Sequence, residues 1–266
     1  MTTPRLVTRT IDELRIEDEK SFRHVALYAS LKEVLRREKY CFRLLPEASS
    51  GRWDRALFLN LTFWGANAGG DVLIDDVLPA DVVAHAAWHH LAAKTLAGGV
   101  GAPLSADALF LGEAIASAFD VYLVGRLLGH APHSSFLATQ VPAMADSASA
   151  AGLSEDGFDA LLQEIADDPE RAFEDLRQLL FDATTSLAAS PGVDDALAVL
   201  ERFDKHRFEP LLHHYELSNW VLYARAYGQG GLQHDARTRD VDRELRQADV
   251  SLDWLSSRWI DDASSA

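Results

Sequence analysis

The chain has almost no cysteine and too little positive charge to balance its acids, and each shortage closes off a class of function. Cys41 is the only thiol in 266 residues, which excludes an internal disulfide framework and a cysteine-ligated zinc finger. It is expected to be a small buried apolar residue. Against 41 Asp and Glu stand 25 Lys and Arg, a formal net charge of -16 at pH 7. Such a surface repels phosphate backbones and anionic headgroups, so neither nucleic acid nor a membrane is the expected partner. A small molecule or peptide is a possible one.

Other features are missing as well. No uninterrupted apolar run reaches the roughly 20 residues of a membrane-spanning helix. The first fifteen residues carry Arg5, Arg9, Asp12 and Glu13 and have no apolar stretch of the secretory kind, so the expected compartment is the cytoplasm. There is no Gly-x-Ser-x-Gly elbow, and the glycine run Gly98 to Gly101 is not followed by Gly-Lys-Ser/Thr. That run reads as a turn between helices rather than a phosphate cradle.

What the chain does have is enough apolar sequence, 48% of its residues, to bury a full core. From Ile11 to Lys39, apolar residues including Leu14, Phe22, Leu31 and Val34 recur mostly at threes and fours, and predict an amphipathic helix. Short strands are predicted at Cys41 to Leu45, Ala56 to Trp64 and Asp71 to Leu78. They are separated by turn formers such as Ser49-Ser50-Gly51 and Gly69-Gly70, and Pro79 closes the set.

Beyond Pro79 the pattern predicts helices at Ala80 to Leu96, Ser105 to Leu128, Phe136 to Ala150, Ser154 to Ala166, Pro169 to Ala189, Val193 to Tyr227 with a break near Pro210, and Val241 to Ile260. The expected fold is α+β and predominantly α-helical, with a small N-terminal sheet or hairpin beside a helical bundle. Residues 1–78 and 79–262 are read as two regions of one domain. The six tryptophans are expected in the core.

Two histidines stand out. His85 and His89 lie four apart on the predicted helix Ala80 to Leu96, so both rings leave one face and can converge on one ion. Glu113 lies on the next helix, beyond a glycine-rich turn that folds the pair antiparallel. Two histidines and a carboxylate leave coordination positions open, which suits catalytic zinc or non-haem iron. Asp120, two turns beyond Glu113, is a further candidate to bind the metal or to orient a histidine that does. His90 points about 100° away around the helix and is expected at the surface or boundary.

The run His85-Ala86-Ala87-Trp88-His89, followed by Gly112-Glu113-Ala114-Ile115-Ala116-Ser117, resembles the active-site layout of gluzincin metallopeptidases of the thermolysin type. There a His-Glu-x-x-His helix supplies two zinc ligands, and a Glu within Asn-Glu-x-x-Ser-Asp supplies the third. The resemblance covers Asp76 to Asp120 and implies His85, His89 and Glu113 as metal ligands, with zinc as the expected ion and iron the alternative. The sequence departs from the family at Ala86, where the general-base Glu would stand, and at Ser117, where the family has the Asp that orients the first histidine. A different base, such as Glu209 or Glu216, is therefore one expectation, and a two-His, one-carboxylate iron enzyme another.

A second polar series, His206, Glu209, His213 and Glu216, recurs at three and four as one stripe on the predicted helix and reads as a solvated face. Together with Asp81 and the residues above, it could supply a carboxylate-rich dinuclear centre, although the Glu-x-x-His signature of such bundles is absent. From a different class, a helical acidic interaction protein without cofactor would leave His85, His89 and Glu113 scattered and individually satisfied.

Overall fold

The computed structural model describes residues 6–46, 72–73, 75–97, 103–228 and 234–261. Its strands lie in the N-terminal part and form two small sheets. In the first, β1 (Val7–Thr10) runs antiparallel to β3 (Cys41–Leu44), which pairs in parallel with β4 (Val72–Leu73). In the second, β2 (Arg15–Glu17) is parallel to β5 (Val77–Pro79). The fold is thus α+β and mainly helical, as the sequence pattern predicts.

The long helix expected from Ile11 to Lys39 is a correction. Only α1 (Ala26–Arg37) is α-helical, burying Tyr28, Leu31, Val34 and Leu35. The segment before it is β1, a 3₁₀ turn, β2 and another 3₁₀ turn. Two local features set this. Glu13 turns back to accept from the Thr10 amide at 2.8 Å, and Asp18 sits in the left-handed region at φ 53°, which a helix cannot pass through. The strands then find partners far along the chain, at residues 41–44 and 77–79, and a local periodicity carries no information about them.

Cys41 is half-buried in β3 rather than fully buried. Of the expected strand Asp71 to Leu78, β4 and β5 are formed, separated by Asp75 and Asp76. The expected strand at Ala56 to Trp64 and the glycine run lie outside the described residues.

The helical region begins at Pro79, which ends β5 and caps α2 (Ala80–Leu96). After it come α3 (Ala106–Leu128), α4 (Ser135–Ala150), α5 (Glu155–Asp167) and α6 (Pro169–Ala189). Their starts are chemically marked. The hydroxyls of Ser105, Ser134 and Ser154 and the carboxylate of Asp168 each accept from a backbone amide in the first turn, satisfying donors that a helix start leaves open.

The helix expected from Val193 to Tyr227 is broken more deeply than the single proline suggested. It comprises α7 (Val193–Glu201), a 3₁₀ segment at Glu209–Tyr215, Glu216 in the left-handed region at φ 48°, and α8 (Leu217–Tyr227). The C-terminal helix expected at Val241 to Ile260 is divided too, into α9 (Ala236–Gln247) and α10 (Ser251–Leu255), followed by a π-helical turn at Ser256–Asp261.

The centre of the molecule is α3, which packs on α2, α5 and α6. By length and composition it could cross a membrane, with a mean hydropathy of 1.5, yet 89% of that window is buried inside the fold. A helix apolar on every side belongs in a core. Two glycines let its neighbours approach. A Cβ at Gly125 would stand 2.5 Å from the Ile165 carbonyl oxygen of α5, and one at Gly112 would stand 3.2 Å from the Ala92 Cβ of α2.

Charged groups tie the later helices on. Arg177 of α6, with no exposed surface, meets Glu174 at 2.6 Å and Asp242 of α9 at 2.7 Å. Arg239 of α9 grips the buried Asp107 near the start of α3 with two hydrogen bonds, of 2.8 and 3.1 Å.

Candidate metal centre

The spacing of four places Asp81, His85 and His89 on one face of α2, and that face meets α3. His89 Nε2 lies 3.2 Å from Glu113 Oε1 and 3.1 Å from His85 Nε2. The two imidazole rings have their centroids 4.8 Å apart. One donor atom from each of His85, His89 and Glu113 lies within 4.8 Å of the others. The three groups therefore face a common point and are not scattered. Gly112 is part of the reason: the small residue beside Glu113 keeps α3 close to α2 at this level.

Asp120 takes a different place from the three. Its Oδ2 lies 3.1 Å from His85 Nδ1, on the side of the ring away from His89. An ionised carboxylate can only accept, so this contact puts the His85 proton on Nδ1 and turns the Nε2 lone pair toward His89 and Glu113. A histidine that binds metal is typically oriented in this way. Ser117, where the resemblance would place the orienting Asp, is buried on α3, and Asp120 supplies the carboxylate instead.

The electrostatics favour a neutral His89. Burial first, and then the charge that His85 carries when protonated, push its pKa down to about 3, so its ring is uncharged at neutral pH. Asp81 is displaced the other way, to about 6, chiefly by burial and then by the charge of Asp120. Glu113 is largely buried, with its side chain 8% exposed, whereas His85 and His89 are 22% and 23% exposed. The centre thus opens to solvent along its histidine side.

Two of the three donor edges match a divalent ion. Metal–ligand bonds of about 2.0–2.1 Å in a tetrahedral site put neighbouring donors about 3.3 Å apart; these edges are 3.1 and 3.2 Å, and all three donors lie within 4.8 Å of one another. Two buried polar atoms without a hydrogen-bond partner among the described residues belong to this region: Asp120 Oδ1 and the hydroxyl of Tyr215, which feels the charge of Asp120.

The other expected candidates are placed elsewhere. His90 turns to α1, where its Nε2 meets Glu38 Oε2 at 2.7 Å and Lys94 holds the other oxygen at 2.6 Å. The stripe His206, Glu209, His213 and Glu216 is not one face, because its residues fall on a turn, a 3₁₀ segment and a left-handed linker. His206 Nδ1 accepts from the Phe208 amide at 3.2 Å, His213 is exposed, and Glu216 accepts from Asn219 at 2.6 Å while exposed. Of the tryptophans, Trp88, Trp220 and Trp259 are buried and Trp254 is half-buried, while Trp53 and Trp64 lie outside the described residues.

Two residues near the centre went unnoticed in the sequence. His214 and Tyr215 both respond to the charge of Asp120: burial lowers the His214 pKa against that charge, and burial together with it raises the Tyr215 phenol. Gln140 of α4 lies 3.1 Å from the His214 ring. The signal that could have found them is Glu209-Pro210, since a proline at the start of a 3₁₀ turn changes which side chains face inward. No family, curated protein or solved structure matches the chain.

Proposed function

We propose that the chain is a metalloprotein that holds one divalent cation through His85, His89 and Glu113 and uses it to hydrolyse a small molecule or peptide. The observation that carries this reading is the convergence of two imidazole nitrogens and a carboxylate oxygen, one donor from each within 4.8 Å of the others. A cation so held, with a coordination position left open, would polarise a carbonyl and lower the pKa of a coordinated water.

The chain's own groups have distinct parts in this. Glu113 supplies negative charge from the buried side, His89 supplies an unprotonated nitrogen, and Asp120 holds His85 in the tautomer whose Nε2 lone pair is directed at His89 and Glu113. The layout is similar to that of thermolysin-type gluzincins in its ligands only. Ala86 is 2% exposed, and its methyl group can take no proton, so the acceptor is not the residue after the first histidine. Two histidines and one carboxylate equally suit iron in an oxygen-activating enzyme, which needs no residue at that position.

Elemental analysis of protein purified without added metal tests the reading. Close to one equivalent of zinc supports the hydrolase, and iron supports the oxygenase. A well-folded protein that carries no metal and takes up none on titration would leave a hydrogen-bonded histidine pair and remove both. The double change His85→Ala and His89→Ala should abolish binding and leave the helical content in place.

A further inference from the structure

The polar seam between α2 and α3 continues past the three metal-ligand candidates. Two contacts fix the register of these antiparallel helices: His89 meets Glu113 at 3.2 Å, and His85 meets Asp120 at 3.1 Å. One further turn toward the start of α2 lies Asp81, on the same face as His85. It is therefore at the Asp120 end of the seam, and it feels the charge of Asp120.

Two acids alone would not make a site, but they are joined by atoms that lack something to bind. Asp120 has given one oxygen to His85, and its other oxygen, Oδ1, is buried without a hydrogen-bond partner among the described residues. Tyr215 comes from the 3₁₀ segment and is 9% exposed. Its hydroxyl is likewise buried and unpartnered, and it faces the charge of Asp120. Leaving such atoms unmatched costs about 1–3 kcal/mol each, and a cation held at the Asp120 oxygen would satisfy both acids and the hydroxyl together.

We propose that Asp81 and Asp120, closed over by the Tyr215 hydroxyl, form a second cation site made of oxygen donors, one helical turn from the histidine site. Oxygen-only ligation suits a hard divalent ion of the Mg²⁺ or Mn²⁺ class, whereas the two imidazoles favour zinc or iron. The inference adds a neighbour to the proposed mononuclear centre and uses different donor atoms. The two sites would share the His85–Asp120 pair as a link.

The test uses the full-length protein, stripped with chelator and then titrated with zinc and afterwards with Mn²⁺, with bound Mn²⁺ read by electron paramagnetic resonance. The expected result is a single equivalent of zinc followed by a single equivalent of Mn²⁺. Asp81→Asn should weaken Mn²⁺ by more than about tenfold and leave zinc stoichiometry unchanged, because it removes charge from one site only. Tyr215→Phe should weaken Mn²⁺ without touching zinc, while Tyr227→Phe, at an exposed ring, should do neither. Circular dichroism of each variant checks the fold, and Tyr215→Phe carries the test if Asp81→Asn does not fold. Zinc binding with no Mn²⁺ uptake, or Mn²⁺ uptake unchanged in both variants, would overturn the second site and leave the first standing. Mn²⁺ uptake without zinc would do the reverse.

Discussion

His85 and Asp120 meet at 3.1 Å between Nδ1 and Oδ2, and this single contact decides which nitrogen of the ring faces His89. Replacing the carboxylate by an amide of the same shape removes the negative acceptor, so the ring loses both its tautomer preference and part of its basicity. Asp120→Asn is expected to weaken zinc binding by about 10–100-fold with little change in fold. Competition against a chelator of known affinity measures it, and unchanged affinity would mean that Asp120 does not position His85.

The approach of α3 to α2 at Gly112 should be felt at the centre. A Cβ there would stand 3.2 Å from Ala92 Cβ, and valine adds two methyl groups in the same gap. Gly112→Val is expected to cost about 1–3 kcal/mol in urea unfolding and also to weaken zinc, because Glu113 moves away from the histidines. A stability loss with unaltered zinc affinity would show that helix spacing does not control the site.

The shifted pKa values predict how the metal-free protein responds to acid. His89 has a folded pKa lowered from 6.5 to about 3, so between these limits the unfolded chain takes up a proton that the folded chain refuses. Stability from this residue is complete above pH 6.5 and is lost as pH falls toward 3. Asp81, raised from 3.8 to about 6, works in the opposite sense: its contribution is complete below pH 3.8 and is lost as pH rises through 6. Chelator-treated His89→Asn should therefore lose less stability than wild type between pH 6.5 and 4, and Asp81→Asn should lose more. Thermal melts across that range read both, and parallel profiles for all three proteins would contradict the assignment.

Arg177 is the most deeply buried charge described, with no exposed surface, and it faces Glu174 and Asp242. Burial opposes the ionisation of Glu174, but the hydrogen bonds and charge of Arg177 outweigh it and hold that carboxyl below its usual range. Arg177→Met leaves Glu174 without its cation and Asp242 with Arg246 alone, at 2.9 Å, and should cost about 3–5 kcal/mol. The variant should also gain stability, relative to wild type, as pH falls and the stranded carboxylates take up protons. A loss under 1 kcal/mol in urea unfolding, on the order of an exposed pair, would show that the cluster is looser than its geometry.

The parts of this molecule that could be read in advance are those governed by neighbours in sequence. Pro79 and Pro169 mark starts where proline fits the first helical turn, and Ser105 and Ser154 announce caps, so α2, α3, α5 and α6 stand where the pattern puts them. His85 and His89 were legible because a spacing of four is itself a geometry. What stayed hidden depends on distant partners or on unusual backbone. β1 and β2 pair across long stretches of chain, and the apolar periodicity around Leu14 and Phe22 imitates a helix because both elements bury every few residues. Tyr215 and His214 sit on a 3₁₀ segment that ends at Glu216 in a left-handed conformation, for which a glutamate gives no sign.

Because the donors are mounted on two core helices and not on loops, the distance between them is set by how tightly Gly112 lets α3 nest against Ala92. In the proposed metal site the packed interior would then act as a gauge for ionic radius. A cation of zinc or iron size would enter without moving the backbone, whereas calcium, with oxygen distances of about 2.3–2.6 Å, would have to wedge the pair apart. Discrimination against large ions would be a property of apolar side chains that never touch the metal.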